Sequence, residues 1–237
     1  MARRRFFVDQ VRGGTAELRG DDARHLSRVL RAEPGQKYEI SDGRSVWLAE
    51  IAEARGDRVV FRVVEPVGSP EIPVRITLMP ALVKFDRFEW IIEKATELGV
   101  ERILPVAAAR SEKGLFEASQ KRVERWIRIA REAGQQSRRL RTPEILPAVS
   151  FESALTESAD CRYLLEEFTA PPLLSCLPPV RARSAQVALL IGPEGGWTDS
   201  ERQAAAAWIP VSLGPLVLRA ETAAAAAIAI VLNAWCA

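Results

Sequence analysis

Residues 191–201 read Ile-Gly-Pro-Glu-Gly-Gly-Trp-Thr-Asp-Ser-Glu (IGPEGGWTDSE); they close the apolar run Val187–Ile191 and lead towards an alanine-rich stretch. A strand that passes through glycines into a helix is the grammar of a ligand site at the carboxyl end of a parallel strand, where bare backbone lets a small molecule approach closely. It is not a phosphate loop. The GxGxxG spacing and the GK[ST] ending are both absent, and Glu194 inside the loop would repel a pyrophosphate. Thr198 and Glu201 stand at capping-box spacing, which predicts a helix start whose amides are satisfied from within the chain. A tight connection with no ligand is the competing reading of this loop on its own.

The same grammar recurs at residues 213–222, Leu-Gly-Pro-Leu-Val-Leu-Arg-Ala-Glu-Thr. Two glycine loops after neighbouring strands can frame one neutral ligand recognised by backbone, such as an adenosyl group. Arg219 and Glu221 sit where the chain enters a helix of alanine and isoleucine, as candidates for chemistry or as a surface pair of helix-capping value only.

Between residue 73 and the C-terminus the pattern alternates strands and helices, which predicts an α/β domain with a mainly parallel sheet. VRITLMPAL (74–82), RILPVAA (102–108), ILPAV (145–149), CRYLLEE (161–167), QVALLIG (186–192) and IPVSLG (209–214) are expected strands. Phe85, Phe88, Ile91, Ile92, Ala95 and Leu98 form an apolar helical stripe ended by Gly99. A second helix is expected from Ser119, burying Val123, Trp126, Ile127, Ala130 and Ala133, and a last one from about Thr222 to Trp235.

The first 65 or so residues read instead as short strands, RRFFV, TAEL, KYEIS, VWLAEIA and RVVFRVV, punctuated by glycine turns. One helix interrupts them, with Asp21 or Asp22 as its cap and His25, Leu26, Val29 and Leu30 on one face. These predict a small β-barrel over 1–70, followed by a linker from Glu65 to Pro73.

Of the 237 residues, 48% are apolar, enough for a proper core, and no apolar stretch is long enough to span a bilayer or follows the basic start as a signal peptide would. A soluble, cytoplasmic protein is the expectation. Three widely spaced cysteines and a single histidine, His25, argue against a disulfide framework and against cysteine or multi-histidine metal sites. The net charge of +2 conceals an asymmetry: residues 73–142 carry 15 Lys+Arg against 9 Asp+Glu, and residues 143–237 carry 5 against 10. A basic block beside an acidic, glycine-looped block suggests a polyanion-binding surface next to a pocket for something else, with solvated surface charge as the plain alternative. Within the basic block Lys121, Arg125, Arg128 and Arg131 lie opposite an apolar helix face, and Arg138, Arg139 and Arg141 continue beyond it, forming a candidate nucleic-acid backbone track.

Taken together, RRFFVD (4–9), HLSRVLRAEPGQ (25–36), FEWIIEKATELGVERILPV (88–106), Arg110-Ser111, EAGQQSR (132–138), LLIGPEGG and LGPLVLRAETA resemble the SPOUT superfamily of methyltransferases, and within it the small-subunit ribosomal RNA uridine N3 methyltransferases of the RsmE family. The likeness covers nearly the whole chain. It implies a PUA-like RNA-binding β-barrel over 1–70 and an α/β domain over 73–237 that is tied into a deep trefoil knot and binds S-adenosyl-L-methionine. By this resemblance the cofactor is held by Leu165, Glu166, Ile191, Gly192, Pro193, Gly195, Gly196, Leu213, Gly214, Val217 and Leu218. Arg219, Glu194 and Glu221 are the catalytic candidates, with Glu194 either part of the methyl-transfer site or a structural carboxylate tying its loop. RNA contact is expected from Arg4, Arg5, Arg110, Lys121, Arg125, Arg128, Arg138 and Arg139. A homodimer acting on 16S ribosomal RNA, with no metal and no membrane, is implied as well. Two departures stand out: family members commonly carry a basic residue where this chain has Leu216, and a small residue near Phe85. A non-catalytic RNA-binding protein, or a methyltransferase acting on another nucleotide, is the alternative.

Overall fold

The computed structural model describes residues 4–167 and 170–237. The chain divides into two compact units, Met1–Glu71 with Glu132–Thr142, and Ile72–Arg131 with Pro143–Ala237.

The first unit is built on a six-stranded mixed sheet. Its strands are β1 (Arg5–Phe7), β2 (Val11–Arg12), β3 (Thr15–Arg19), β4 (Lys37–Ser41), β5 (Val46–Arg55) and β6 (Arg58–Val67), in the order β1-β4-β5-β6-β3-β2. Only the β1–β4 pair is parallel. On β6 the alternation Arg58, Val59, Val60, Phe61, Arg62 puts Val59 and Phe61 in the core and the arginines outside. A register shift between Leu48 and Ala49 lets both of those consecutive residues be buried on β5. Pro66 lies opposite Trp47 within β6, so the expected linker begins only after Val67. The proline is tolerated because β3 pairs β6 only from Arg58 to Arg62, leaving Pro66 without a ladder on that side.

The helix of this unit departs from expectation. Helix α1 (Gly20–Arg24) is capped by the extended Arg19, with no side-chain cap, and Asp21 and Asp22 stand in its first turn, where they meet the positive end of the helix dipole. It then widens into a π-helical turn, His25–Val29. Widening breaks the three-and-four spacing, so Leu26 is buried while Val29 and Leu30 are 66% and 41% exposed. The segment from Glu132 to Thr142 packs into the same unit: a Cβ on Gly134 would come within 3.2 Å of the Phe7 ring, and the Ser41 hydroxyl donates to the Leu140 carbonyl at 2.5 Å.

The second unit carries a six-stranded sheet in which every pairing is parallel, in the order β10-β8-β7-β13-β12-β14. The strands and helices follow as β7 (Val74–Pro80), α2 (Phe85–Glu97), β8 (Arg102–Ile103), β9 (Val106–Ala107), α3 (Leu115–Ser119) and α4 (Val123–Gln136). The chain continues through β10 (Glu144–Ile145), β11 (Val149–Ser150), α5 (Phe151–Ala154), β12 (Cys161–Leu165), α6 (Leu173–Cys176), β13 (Ala185–Ile191), α7 (Asp199–Ala204), β14 (Ile209–Val211) and α8 (Ala220–Cys236). From Val187 to Ile191 strand β13 is apolar without a break because both its faces are covered there. Val187, Leu189 and Ile191 face a core shared with Phe88 and Ile92 of α2 and Ala224 and Ile228 of α8, while Ala188 and Leu190 face Phe151, Trp197 and Trp208.

Three sequence readings need correction here. Pro105 and Pro147 each split an expected strand in two, β8 from β9 and β10 from β11, because proline cannot donate to the ladder. Ser119 ends the short α3 instead of starting the long helix, which begins at Val123. On α4, Trp126 and Ala130 are fully buried, but Ile127 is 48% exposed. It stands a full 100° round the helix from Trp126, and Ile129 flanks the buried stripe in its place.

Candidate active site

A cleft opens in the second unit where β12 and β13 end and the chain leaves β14. Counting its open mouth, it encloses about 610 Å³ of space. Leu165, Glu166, Ile191, Gly192, Pro193, Gly196, Leu213, Val217 and Leu218 line it, so these expected binding residues do converge. Glu167, Glu194, Trp197, Leu216, Ala220 and Ala223 complete the lining. Gly195 and Gly214, also expected there, are not in the wall.

Each glycine of the first loop has its own reason. A Cβ on Gly192 would sit 3.1–3.2 Å from the indole of Trp197, tighter than ordinary contact, so the ring is what requires glycine there. Trp197 is 1% exposed and donates its ring N–H to the Leu165 carbonyl at 2.9 Å, tying the loop after β13 to the end of β12. At Gly195 a Cβ would meet the Arg110 side chain at 3.3 Å. Gly196, at φ +68°, closes a turn by donating to the Pro193 carbonyl at 2.9 Å.

Arg110, expected to hold RNA, clamps this loop: its Nη1 donates to the carbonyls of Gly195 at 2.6 Å and Trp197 at 3.3 Å. Glu194 is ion-paired with Arg87 of α2, which favours the tying role among the two left open for it. The capping box is present as read. Thr198 accepts from the Glu201 amide at 3.2 Å, and the Glu201 carboxylate accepts from the Thr198 amide at 2.8 Å. Glu201 is 6% exposed and also accepts from the Ala109 amide at 2.8 Å, binding the helix start to the chain next to Arg110. Glu166 holds Arg202 of α7 through two hydrogen bonds, of 2.7 and 3.3 Å, and that contact raises the Arg202 pKa above its ordinary value.

The catalytic candidates sit at the entrance to α8. Arg219 is its exposed, extended N-cap residue, and no side-chain bond holds it. Glu221 is half-buried, and its Oε2 is shielded from solvent without a hydrogen-bond partner. Ala220 between them lines the cleft.

Several of the basic residues expected to meet RNA already hold partners within the chain. Arg5 is 1% exposed; it bonds Glu39 at 2.9 and 3.1 Å, the Ser69 hydroxyl at 3.3 Å and the Arg138 carbonyl, so it cannot reach RNA and that expectation is withdrawn. Arg138 also binds Glu39. Burial opposes ionisation of Glu39, but the hydrogen bonds from Arg138 and Arg5 outweigh it and hold the carboxyl below its usual range. Arg125 forks onto Glu89 at 2.5 and 2.7 Å, and Arg4 bonds the His25 ring at 3.0 Å. Lys121 and Arg128 are exposed, and Arg139 is half-buried.

Among the described residues no cluster of three or more His, Cys, Asp or Glu could hold a metal, and no helix is long and apolar enough to cross a membrane.

The sequence of residues 70–232 matches the model of an RNA methyltransferase domain, and residues 18–64 match that of an RNA methyltransferase PUA domain. The chain belongs to this RNA methyltransferase family. The cleft lies wholly within the matched methyltransferase domain. Ribosomal RNA small subunit methyltransferase E of Synechocystis is 34% identical, over 93% of this chain and 74% of its own length. Among solved structures, a ribosomal RNA small subunit methyltransferase E from Neisseria gonorrhoeae, bound to S-adenosyl methionine, is 30% identical with a TM-score of 0.87, covering 99% of this chain and 98% of that one. A putative methyltransferase from Legionella pneumophila, in complex with the same cofactor, is 28% identical with a TM-score of 0.88 at the same coverage.

Against that family background, the residues missed in the sequence are those that hold the loop instead of lining it with glycine. Arg87, Trp197 and Arg202 carried no motif signal. Only Trp197 had a local hint, as a large apolar residue between two polar stretches.

Proposed function

We propose that this chain is an S-adenosylmethionine-dependent methyltransferase that acts on N3 of a uridine in small-subunit ribosomal RNA. The observation that carries the reading is the cleft itself: two glycine loops at the carboxyl ends of parallel strands, walled by backbone and by Leu165, Ile191, Leu213 and Leu218. Such a wall fits an adenosyl group, being apolar and rich in backbone. When bound, the cofactor supplies an electrophilic methyl group on a sulfonium.

The protein's part is positioning and electrostatics. Leu165, Glu166, Ile191, Gly192, Pro193, Gly196, Leu213, Val217 and Leu218 hold the cofactor, the first loop being held in turn by Trp197 and Arg110. Methylation at N3 requires loss of the imino proton, and the resulting charge falls on the uracil carbonyl oxygens. Arg219 stabilises that charge from the head of α8. Glu221, whose buried Oε2 lacks a partner, orients the base or accepts the proton. Glu194, paired with Arg87, serves as a loop tie before it serves as a base. Lys121 and Arg128, with the remaining donors of Arg110, Arg125, Arg138, Arg139 and Arg4, supply the phosphate contacts.

The reading includes a PUA-like barrel for the first unit and a trefoil knot for the second, the latter supported by β13 lying between the earlier strands β7 and β12. It also includes a homodimer, for which Leu174 and Val180, 62% and 85% exposed, offer apolar surface, and action in the cytoplasm on the small ribosomal subunit.

The test is transfer of a labelled methyl group to naked small-subunit RNA and to assembled subunits, with the product base mapped. Arg219→Ala is expected to keep cofactor binding by calorimetry and to lose about 100-fold or more in kcat, the usual cost of removing one anion stabiliser. Unchanged turnover would take Arg219 out of the mechanism, and methyl transfer to another base would overturn the uridine assignment.

A further inference from the structure

We infer that the π-helical turn of the first unit is a preformed RNA contact: Arg28 and Arg31 take backbone phosphates, and Val29 and Leu30 pack on the ribose or base faces of an unpaired stretch. This rests on the methyltransferase reading above for the identity of the RNA, and names contact residues outside the track first assigned to it.

The turn is anchored on every side except the one it displays. Ala23 and Leu26 are fully buried in the core of the unit. The Ser27 hydroxyl donates to the Gly56 carbonyl at 2.6 Å, the Leu30 amide to the His25 carbonyl at 3.0 Å, and the Ala32 amide to the Leu26 carbonyl at 3.1 Å. What these anchors hold outward is an adjacent apolar pair, Val29 and Leu30, 66% and 41% exposed. Folding gains little from placing them there. Arg31 stands at φ +50°, a left-handed conformation that side chains rarely adopt and that costs of order 1 kcal/mol or more unless the surroundings impose it. A widened helical turn and a strained residue in sequence are both features that recur at functional positions.

Charge decides the occupant. Arg24 is paired with Asp21, but Arg28 and Arg31 are exposed and form no ion pair with any described residue. Two unneutralised guanidiniums flanking an apolar tip complement a phosphodiester chain with unstacked bases, whose affinity comes from phosphate neutralisation and from packing against bases. The matched PUA region, residues 18–64, contains the whole turn. Arg5 of the same unit, buried under Glu39, does not share this role.

The experiment is fluorescence anisotropy of the full-length protein with an end-labelled transcript of small-subunit ribosomal RNA, over a range of salt concentrations. Two double variants are compared: Arg28→Gln with Arg31→Asn, the asparagine tolerating positive φ, and Val29→Ser with Leu30→Ser. The charge variant is expected to bind about tenfold more weakly at moderate salt, with the slope of log affinity against log salt reduced by about two. The apolar variant is expected to bind severalfold more weakly with the slope unchanged. In both, S-adenosylmethionine affinity and kcat at saturating RNA stay at wild-type values, so that the loss appears in KM. Wild-type affinity and slope in both variants would overturn the proposal. So would a shift of the apolar variant to a smaller species in sedimentation with RNA affinity intact, since the tip would then be a contact between two copies of the chain. If the wild-type protein binds the transcript but transfers no methyl group to RNA, the functional reading fails while the binding comparison still decides this surface.

Discussion

The two glycine loops of the cleft share a grammar and differ in how they are held. The loop after β13 is tied from four directions, by the Trp197 indole to Leu165, by Arg110 to two carbonyls, by Arg87 to Glu194, and by the capping box to α7. In the loop after β14, Leu216 and Val217 are 75% and 62% exposed, Gly214 stands at φ +120°, and α8 starts at Arg219 with no side-chain cap. One wall of the site is therefore held by side-chain ties along its length, and the other is anchored at its start, where Ser212 bonds the Ala170 and Pro171 carbonyls, and exposed at its tip. On the proposed function, the tied loop preorganises backbone for the cofactor and the exposed loop carries Arg219 towards the substrate.

The strongest way to break this contrast is to loosen the fixed loop at its centre. Trp197→Ala removes a ring buried against Gly192, Phe151 and the β12 terminus, and is expected to cost about 3–5 kcal/mol of unfolding free energy together with most cofactor affinity. Urea denaturation and calorimetry measure both losses. A variant that kept wild-type cofactor binding would show that the tie to Leu165 does not shape the cleft.

A smaller effect is expected from the helix cap. Thr198→Ala deletes the acceptor for the Glu201 amide but leaves Glu201 bonded to the Ala109 and Thr198 amides, so about 1 kcal/mol should be lost in denaturation, with cofactor affinity reduced only modestly. Equal losses from Trp197→Ala and Thr198→Ala would mean that the ties act as one unit and cannot be ranked.

What could be read from the sequence follows the range of the interactions. The capping box is legible because both partners lie three residues apart, and the apolar run of β13 because burial on both faces leaves a continuous signature. The lining of the cleft was legible through its glycines and through the family likeness. The arginines were not. Arg110 and Gly195 are 85 residues apart, and Arg5 and Arg138 are 133 apart, and a guanidinium that clamps a carbonyl or a buried carboxylate is written with the same letter as one facing solvent. The sequence pattern alone therefore places Arg5 among the RNA contacts, whereas it is 1% exposed and spent on Glu39. Pro105 and Pro147 each sit between apolar residues, so the pattern reads as one strand where the missing amide makes two.

The smallest expected effect sits on the loose wall and is the sharpest check on the contrast. Leu216 lines the cleft yet is 75% exposed, so truncating it to alanine removes little apolar area from water-free contact. Leu216→Ala is expected to shift unfolding free energy by no more than about 0.5 kcal/mol, the usual range for an exposed position. Cofactor affinity, read by calorimetry, should weaken by about threefold or less, because a mobile side chain must be ordered before its contact contributes. A loss above about 1 kcal/mol in denaturation would show Leu216 to be packed in solution, and the second loop would then be as fixed as the first.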